Sequence, residues 1–114
     1  MGSTPELLAT VDSTCVHSDR LCINDTEALE AIIGFLPRNK RAMLQEQHKA
    51  IRVDGFDDRG EKYRLKLKED GNGIAFSGDG DWDWIRRHNE FGGEIYIRGV
   101  TDGRQGIAFL FTKS

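Results

Sequence analysis

The sequence predicts a mainly β domain, in which a mostly antiparallel sheet curls on itself as a sandwich or barrel and one or two short helices close its open end. Three observations predict it. Short runs of alternating apolar residues fill the chain from residue 51 onward. Turns that contain glycine separate most of these runs. A length of 114 residues allows one core but not two.

Five alternating runs define the predicted strands of this region. Each run places its apolar residues on one face of a strand, and these residues form a common core. Turns are predicted at residues 57–60, 70–73 and 101–106. The inward residues of the five runs are Ile51 and Val53; Tyr63, Leu65 and Leu67; Ile74 and Phe76; Ile95 and Ile97; and Ile107, Phe109 and Phe111.

The first half of the chain predicts fewer strands and more helix. Residues 1–18 are small and polar without a sustained period, so we expect a flexible N-terminal arm ahead of a single domain at residues 19–114. Residues 20–23 form a first short strand. Asn24 then caps a helix that ends near Gly34, because the chain before Pro37 is extended. A second helix follows at residues 38–47.

A third helix is predicted at residues 81–88, where the two tryptophans lie. Trp82 and Ile85 are three residues apart and so share one face, which can close the end of the sheet while Arg86 and Arg87 stay in water. A Gly92-Gly93 turn then leads into the strand that begins at residue 94.

Positive charge is local in this chain, since the net charge is −3. With Leu65 and Leu67 inward, four cations fall on the outer face of one strand at a spacing of about 6.6 Å. This ridge fits a row of phosphates, or it keeps an outer strand soluble while nearby carboxylates neutralise it. The cations of residues 38–41 oppose the dipole of their helix, which favours a phosphate contact as much as a solvated helix end. The ridge consists of Lys62, Arg64, Lys66 and Lys68.

Cys15 and Cys22 are interpreted as free thiols, because a domain of this size does not need a disulfide, although they can form one. A metal clip that adds His17 fits no common zinc spacing. No apolar stretch is long enough for a membrane span, and no secretion signal begins the chain, so an intracellular protein is expected.

The sequence gives no support to an enzyme. No Glu-x-Lys or Asp-x-Lys triplet occurs, which removes the commonest metal-dependent nuclease motif. The carboxylates between residues 79 and 90 approach a calcium-loop spacing, but Trp84 stands where the loop needs glycine. We therefore expect no catalytic residue, no metal, no cofactor and no small-molecule substrate.

The segment from Trp82 to Ile95 resembles the signature of the plant B-three DNA-binding domain. The residues that carry the resemblance are Trp82, Ile85, Asn89, Phe91, Gly93, Glu94 and Ile95, with Leu36-Pro37-Arg38 upstream. It covers about residues 20–113. The resemblance implies a seven-stranded open pseudobarrel with two short helices that reads the major groove with two arms, here residues 24–30 and 66–76.

These observations support two hypotheses. The first is a nuclear, sequence-preferring domain of the transcription-regulator type that binds double-stranded DNA through phosphate and base-edge contacts. The second is a protein-interaction module, an inhibitor or immunity-type partner, which is supported by the acidic residues of both arms because these should repel phosphate. It would use an acidic surface formed by Asp79, Asp81 and Asp83 with Trp82 and Trp84. The predicted DNA contacts are Arg38, Asn39, Lys40, Arg41, Lys66, Lys68 and Asn72.

Overall fold

The computed structural model describes residues 5–17, 19–78, 81–88, 94–101 and 107–113. Seven strands and three α-helices make up this part of the chain, together with a short 3₁₀ turn at Ser13–Cys15. In chain order they are β1 (Glu6–Val11), β2 (Arg20–Ile23), α1 (Thr26–Phe35), α2 (Arg38–Gln45), β3 (Ile51–Phe56), β4 (Lys62–Asp70), β5 (Gly73–Ser77), α3 (Asp81–His88), β6 (Ile95–Thr101) and β7 (Ile107–Lys113).

All seven strands form a single open sheet in the order β1-β6-β7-β3-β4-β5-β2. Neighbouring strands are antiparallel except β3 and β7, which are parallel. The predicted fold class, mainly β with an open and mostly antiparallel sheet, is therefore confirmed. The described residues contain three short helices, whereas the resemblance implied two.

Aromatic contacts across the inside show that the sheet curls. Phe76 on β5 lies edge-on to Phe109 and Phe111 on β7, with ring centroids 5.0 and 5.3 Å apart. Because β3 and β4 separate these two strands in the sheet, such contacts require the sheet to bend around a shared core. The side chains of Leu65, Leu67 and Phe76 are fully buried there.

The α3 helix closes one end of this core, as the sequence predicted. Trp82 and Ile85 are fully buried, and the Trp82 ring lies 5.7 Å from that of Phe111. The indole Nε1 of Trp82 donates to the carbonyl oxygen of His17 at 2.9 Å, which satisfies its polar atom. Trp84 points outward and is 53% exposed.

The N-terminal prediction was wrong for part of its range. Residues 6–11 are not an arm outside the fold, because they form β1 and pair with β6 along its length. Ala9 and Val11 contribute to the core. A register shift between Leu7 and Ala9 interrupts the alternation of the strand, so the sequence of β1 lacks the sustained period of two by which the other strands were predicted.

The first two helices lie close to their predicted ranges, with small corrections at their ends. The N-cap of α1 is Asp25 rather than Asn24, and its carboxylate accepts from the N–H of Ala28 at 3.1 Å. The helix continues one residue beyond Gly34 and ends where Leu36, in extended backbone, precedes Pro37. The predicted turns at Gly92-Gly93 and residues 102–106 lie outside the described residues.

The β3–β4 turn is organised by Asp57, whose side chain is fully buried. Its Oδ1 accepts from the backbone N–H groups of Arg59 and Glu61, both at 2.9 Å, and its Oδ2 lies 3.0 Å from the hydroxyl of Tyr63. The Tyr63 hydroxyl also contacts Oε2 of Glu61 at 2.8 Å. Burial, followed by these two carboxylates, raises the pKa of Tyr63 far above its ordinary value of 10.0.

This environment predicts that Tyr63 resists ionisation in the folded protein. In an alkaline titration read by tyrosinate absorbance, the difference between the native chain and Tyr63→Phe should stay near zero through pH 10 and appear once denaturant unfolds both. Because the raised pKa favours the protonated form, this contribution to stability is complete below about pH 10 and is lost as pH rises further. A native difference signal with its midpoint near pH 10 would contradict the prediction.

Candidate nucleic-acid interface

The predicted cationic ridge exists on the outer face of β4. Leu65 and Leu67 are buried, while Lys62, Arg64 and Lys68 are exposed and Lys66 is partly exposed. The alternation of the strand thus separates the apolar core from a row of positive side chains. This confirms the sequence-based placement of the ridge, though not its role.

The neighbouring strand β3 adds a cation that the sequence analysis did not single out. Arg52 lies directly opposite Lys66 in the antiparallel register and is exposed. The next outward pair along the two strands is Asp54 and Arg64. Arg52 was detectable from its position between inward Ile51 and Val53, but its pairing with Lys66 requires the register.

A cation of α2 joins the same place. The Nζ of Lys40 donates to the carbonyl oxygen of Arg52 at 3.2 Å, so the helix brings its positive charge beside the strand pair. We call Lys40, Arg52, Arg64, Lys66 and Lys68 the basic cluster. Within the described part of the chain, none of its five members has a carboxylate at ion-pair distance.

Other cations of the chain do have such partners. The Nζ of Lys62 lies 3.6 Å from Oδ2 of Asp54, and Nε of Arg87 lies 3.0 Å from Oδ2 of Asp83. The cluster shares this lack of a described carboxylate partner with isolated cations such as Arg38, Lys49 and Lys113, so its distinguishing feature is that five such cations lie together on β3, β4 and α2.

The predicted DNA contacts in the first turn of α2 differ in their surroundings. Arg38 and Asn39 are exposed, one helical turn or less from Lys40. Arg41 instead turns back onto α1, where its guanidinium donates to the carbonyl oxygens of Gly34 and Leu36 at 3.2 and 3.1 Å. These carbonyl groups lie at the C-terminal end of α1, where they have no donor within the helix. Arg41 therefore stabilises the fold, and we do not include it among the proposed DNA contacts.

The two arms implied by the B-three resemblance lie side by side. Gly73, at the start of β5, packs so closely against the end of β2 that a Cβ on it would lie 2.0 Å from the carbonyl oxygen of Ile23 and 2.7 Å from Oδ1 of Asn24. Asn72 is exposed in the adjacent turn. The structure therefore brings residues 24–30 next to the 66–76 hairpin, and only a residue without a side chain fits at Gly73.

Two carboxylates lie near Asn72 in the sequence, those of Glu69 and Asp70, and both contact other side chains. Oε1 of Glu69 lies 2.5 Å from Nδ1 of His48, and Oδ2 of Asp70 lies 3.2 Å from Nε of Arg20. A hydrogen bond from the Cys22 thiol, followed by the Arg20 guanidinium, lowers the pKa of Asp70, whereas burial raises the pKa of Cys22. Because the Arg20 guanidinium offsets the charge of Asp70, this carboxylate repels a phosphate less than the sequence suggests, whereas His48 offsets the charge of Glu69 only when its imidazole is protonated.

Both cysteines of the chain, Cys15 and Cys22, are free thiols, as predicted. Among the described residues, no group of three or more His, Cys, Asp or Glu side chains is arranged to hold a metal ion. None of the described helices has the length and apolar character to cross a membrane.

Comparison with known proteins adds no further assignment. No protein-family model matches the chain, and no curated protein matches it in sequence. The site must therefore be interpreted from its own geometry and charge.

Proposed function

We propose that this chain is a sequence-preferring domain of the transcription-regulator type that binds double-stranded DNA through the basic cluster. The observation that carries the proposal is the pair Arg52 and Lys66, two cations directly opposite each other without a described counter-ion. Like charges in this position destabilise a sheet, so their presence calls for a compensating anion. A polyanion supplies it.

The geometry of the cluster suits a duplex backbone. Alternate side chains on β4 are separated by about 6.6 Å, and two base-pair steps of one DNA strand rise by about 6.8 Å. Lys40 and Arg52 broaden the row sideways, toward a second line of phosphates. Arg38, Asn39 and Asn72 stand exposed at the margins, where the two amides offer base-edge contacts.

A salt series with a charge-matched control tests the proposal. We expect the native chain to bind a random duplex of about 20 base pairs in fluorescence anisotropy, with an affinity that falls steeply as salt rises. Arg52→Ala with Lys66→Ala should weaken binding roughly tenfold or more at about 0.1 M salt and reduce the slope of log K against log salt by about 1.8, because two phosphate contacts are lost.

The control, Lys62→Ala with Arg87→Ala, also removes two positive charges, but both of these side chains already pair with carboxylates. It should change the affinity by less than about threefold. Equal losses of affinity in the two double variants would mean that net charge alone explains the effect. Absence of salt-sensitive binding by the native chain would contradict the proposal.

A second candidate, a protein-interaction module, rests on Trp84, a large apolar side chain that is 53% exposed. Exposed tryptophans often anchor interfaces. The acidity expected around it is reduced, because Asp83 pairs with Arg86 and Arg87 and these contacts, led by the Arg86 hydrogen bond, lower the pKa of Asp83. Trp84→Ala separates the candidates, since DNA binding at the basic cluster does not require the indole.

A further inference from the structure

The two end strands of the open sheet differ in how their outer edges are protected. Beside β2, Val16 forms a bridge with Leu21, and the N–H of His17 donates to the carbonyl oxygen of Arg20 at 2.9 Å. In the part of the chain that the structure describes, β1 pairs with β6 alone. It carries neither lysine nor proline, and the features that commonly guard a sheet edge, here Glu6 and the register shift between Leu7 and Ala9, are confined to its first half.

A groove runs beside this edge of β1, which no other described strand pairs with. Its volume is about 350 Å³, with residues 7–10 of β1 on one wall and Asp25, Glu27 and Ala28 from the start of α1 on the other. Leu7 is 54% exposed, a large apolar side chain in water on a strand that ends a sheet. The register shift after Leu7 leaves Ala9, Thr10 and Val11 in consecutive pairing with β6, so the strand remains extended beside the groove.

The charge of the groove selects its occupant. Asp25 and Glu27 line it, Glu6 begins β1, and the described residues that line it include neither lysine nor arginine. Glu27 has no ion pair with any described cation. A second copy of β1 would bring another Glu6 and no cation to this edge, so it would leave these carboxylates without a positive partner. A strand that carries cations has the opposite effect.

We propose that β1 is a docking edge for an extended basic peptide, which adds to the sheet as an eighth strand and directs lysine or arginine side chains toward Asp25 and Glu27. Main-chain hydrogen bonds supply the affinity in this mode of recognition, and the side chains at alternate positions supply the selectivity. The surface is built from β1 and α1, whereas the basic cluster lies on β3, β4 and α2. The groove therefore shares no residue with the basic cluster, although Asp25 and Glu27 lie within residues 24–30, the first arm implied by the B-three resemblance.

A peptide titration of the full chain tests this proposal. The probe is an acetylated and amidated nonapeptide that alternates lysine with valine, followed by amide NMR shifts and hydrogen exchange. We expect slowed exchange and shifted resonances in residues 6–11. A peptide with glutamate in place of lysine, and a lysine peptide N-methylated at every residue so that neither of its edges can donate, should each fail to produce them.

Two variants of α1 provide the matched comparison. Glu27→Lys should lower the affinity for the lysine peptide roughly fivefold, since one attraction becomes a repulsion. Glu30→Lys makes the same charge change on an exposed residue of the same helix that does not line the groove, and should change the affinity by less than about twofold.

Three results would overturn the proposal. They are unchanged exchange of the β1 amides at millimolar peptide, equal binding of the N-methylated peptide, and equal effects of the two lysine substitutions. Sedimentation that shows a dimer with protected β1 amides would assign the edge to a second copy instead.

Discussion

Trp82→Ala is expected to lower the free energy of unfolding by about 3–5 kcal/mol, the usual cost of removing a large aromatic side chain from a packed core. The indole is fully buried against Phe111, and its Nε1 donates to the carbonyl oxygen of His17. Alanine leaves a cavity that the helix and sheet fill only in part, and it leaves the His17 carbonyl without that donor. Denaturant unfolding followed by far-UV circular dichroism measures the loss.

Trp84→Ala is the matched control, because it deletes the same side chain two residues away on the same helix. With its indole 53% exposed, the expected cost is below about 1 kcal/mol. Domains of this kind are stable by roughly 5–15 kcal/mol, so the first variant should show a greatly reduced midpoint and the second a nearly native one. Similar losses in the two variants would mean that α3 does not close the core through Trp82.

The strands that were predicted correctly are those whose evidence is local. Residues 63–67 keep a strict period of two because one face meets the core and the other meets water, and at residues 107–111 Phe109 and Phe111 keep the same spacing in the core although Ala108 is buried too. The same reason explains α3, where Trp82 and Ile85 follow the period of a helix. These patterns need no knowledge of the partner element.

The misplaced elements depend on distant partners. β1 is stabilised by pairing with β6, almost ninety residues later in the sequence, and its register shift removes the alternation that would have identified it. The N-cap of α1 was misplaced for a local reason instead: Asn24 and Asp25 are both good N-cap residues, and only the backbone conformation determines which of them accepts from Ala28.

The candidate site likewise combines features that the local sequence predicts with features that depend on distant contacts. The outward placement of Lys66 and Lys68 could be predicted from their own strand, whereas the opposition of Arg52 and Lys66 is a property of the β3–β4 register. The internal use of Arg41 was equally hidden, because the carbonyl oxygens that it contacts lie on a different helix. The sequence gives the number of cations, but the fold determines which of them contact other groups of the protein.

Asp57→Ala is expected to lower the free energy of unfolding by about 2–4 kcal/mol, because it removes a buried acceptor that serves several donors. The backbone N–H groups of Arg59 and Glu61 lose the oxygen that fixes the β3–β4 turn, and the Tyr63 hydroxyl keeps only Glu61. Alanine offers no replacement acceptor, and these donors are too enclosed to regain full hydration. The loss should appear as a lower midpoint in denaturant with an unchanged dependence on denaturant concentration.

Two further variants separate the turn geometry from the negative charge. Asp57→Asn keeps an oxygen for the two backbone N–H groups and places an amide donor toward the Tyr63 hydroxyl, so it should cost about 1 kcal/mol. Asp58→Ala removes an exposed neighbour whose Oδ2 accepts from the N–H of Lys113 at 3.2 Å, and it should cost no more than about 1 kcal/mol. If Asp57→Asn were as damaging as Asp57→Ala, the charge and not the hydrogen-bonded turn would be the stabilising element, since the asparagine oxygen can replace only the acceptor.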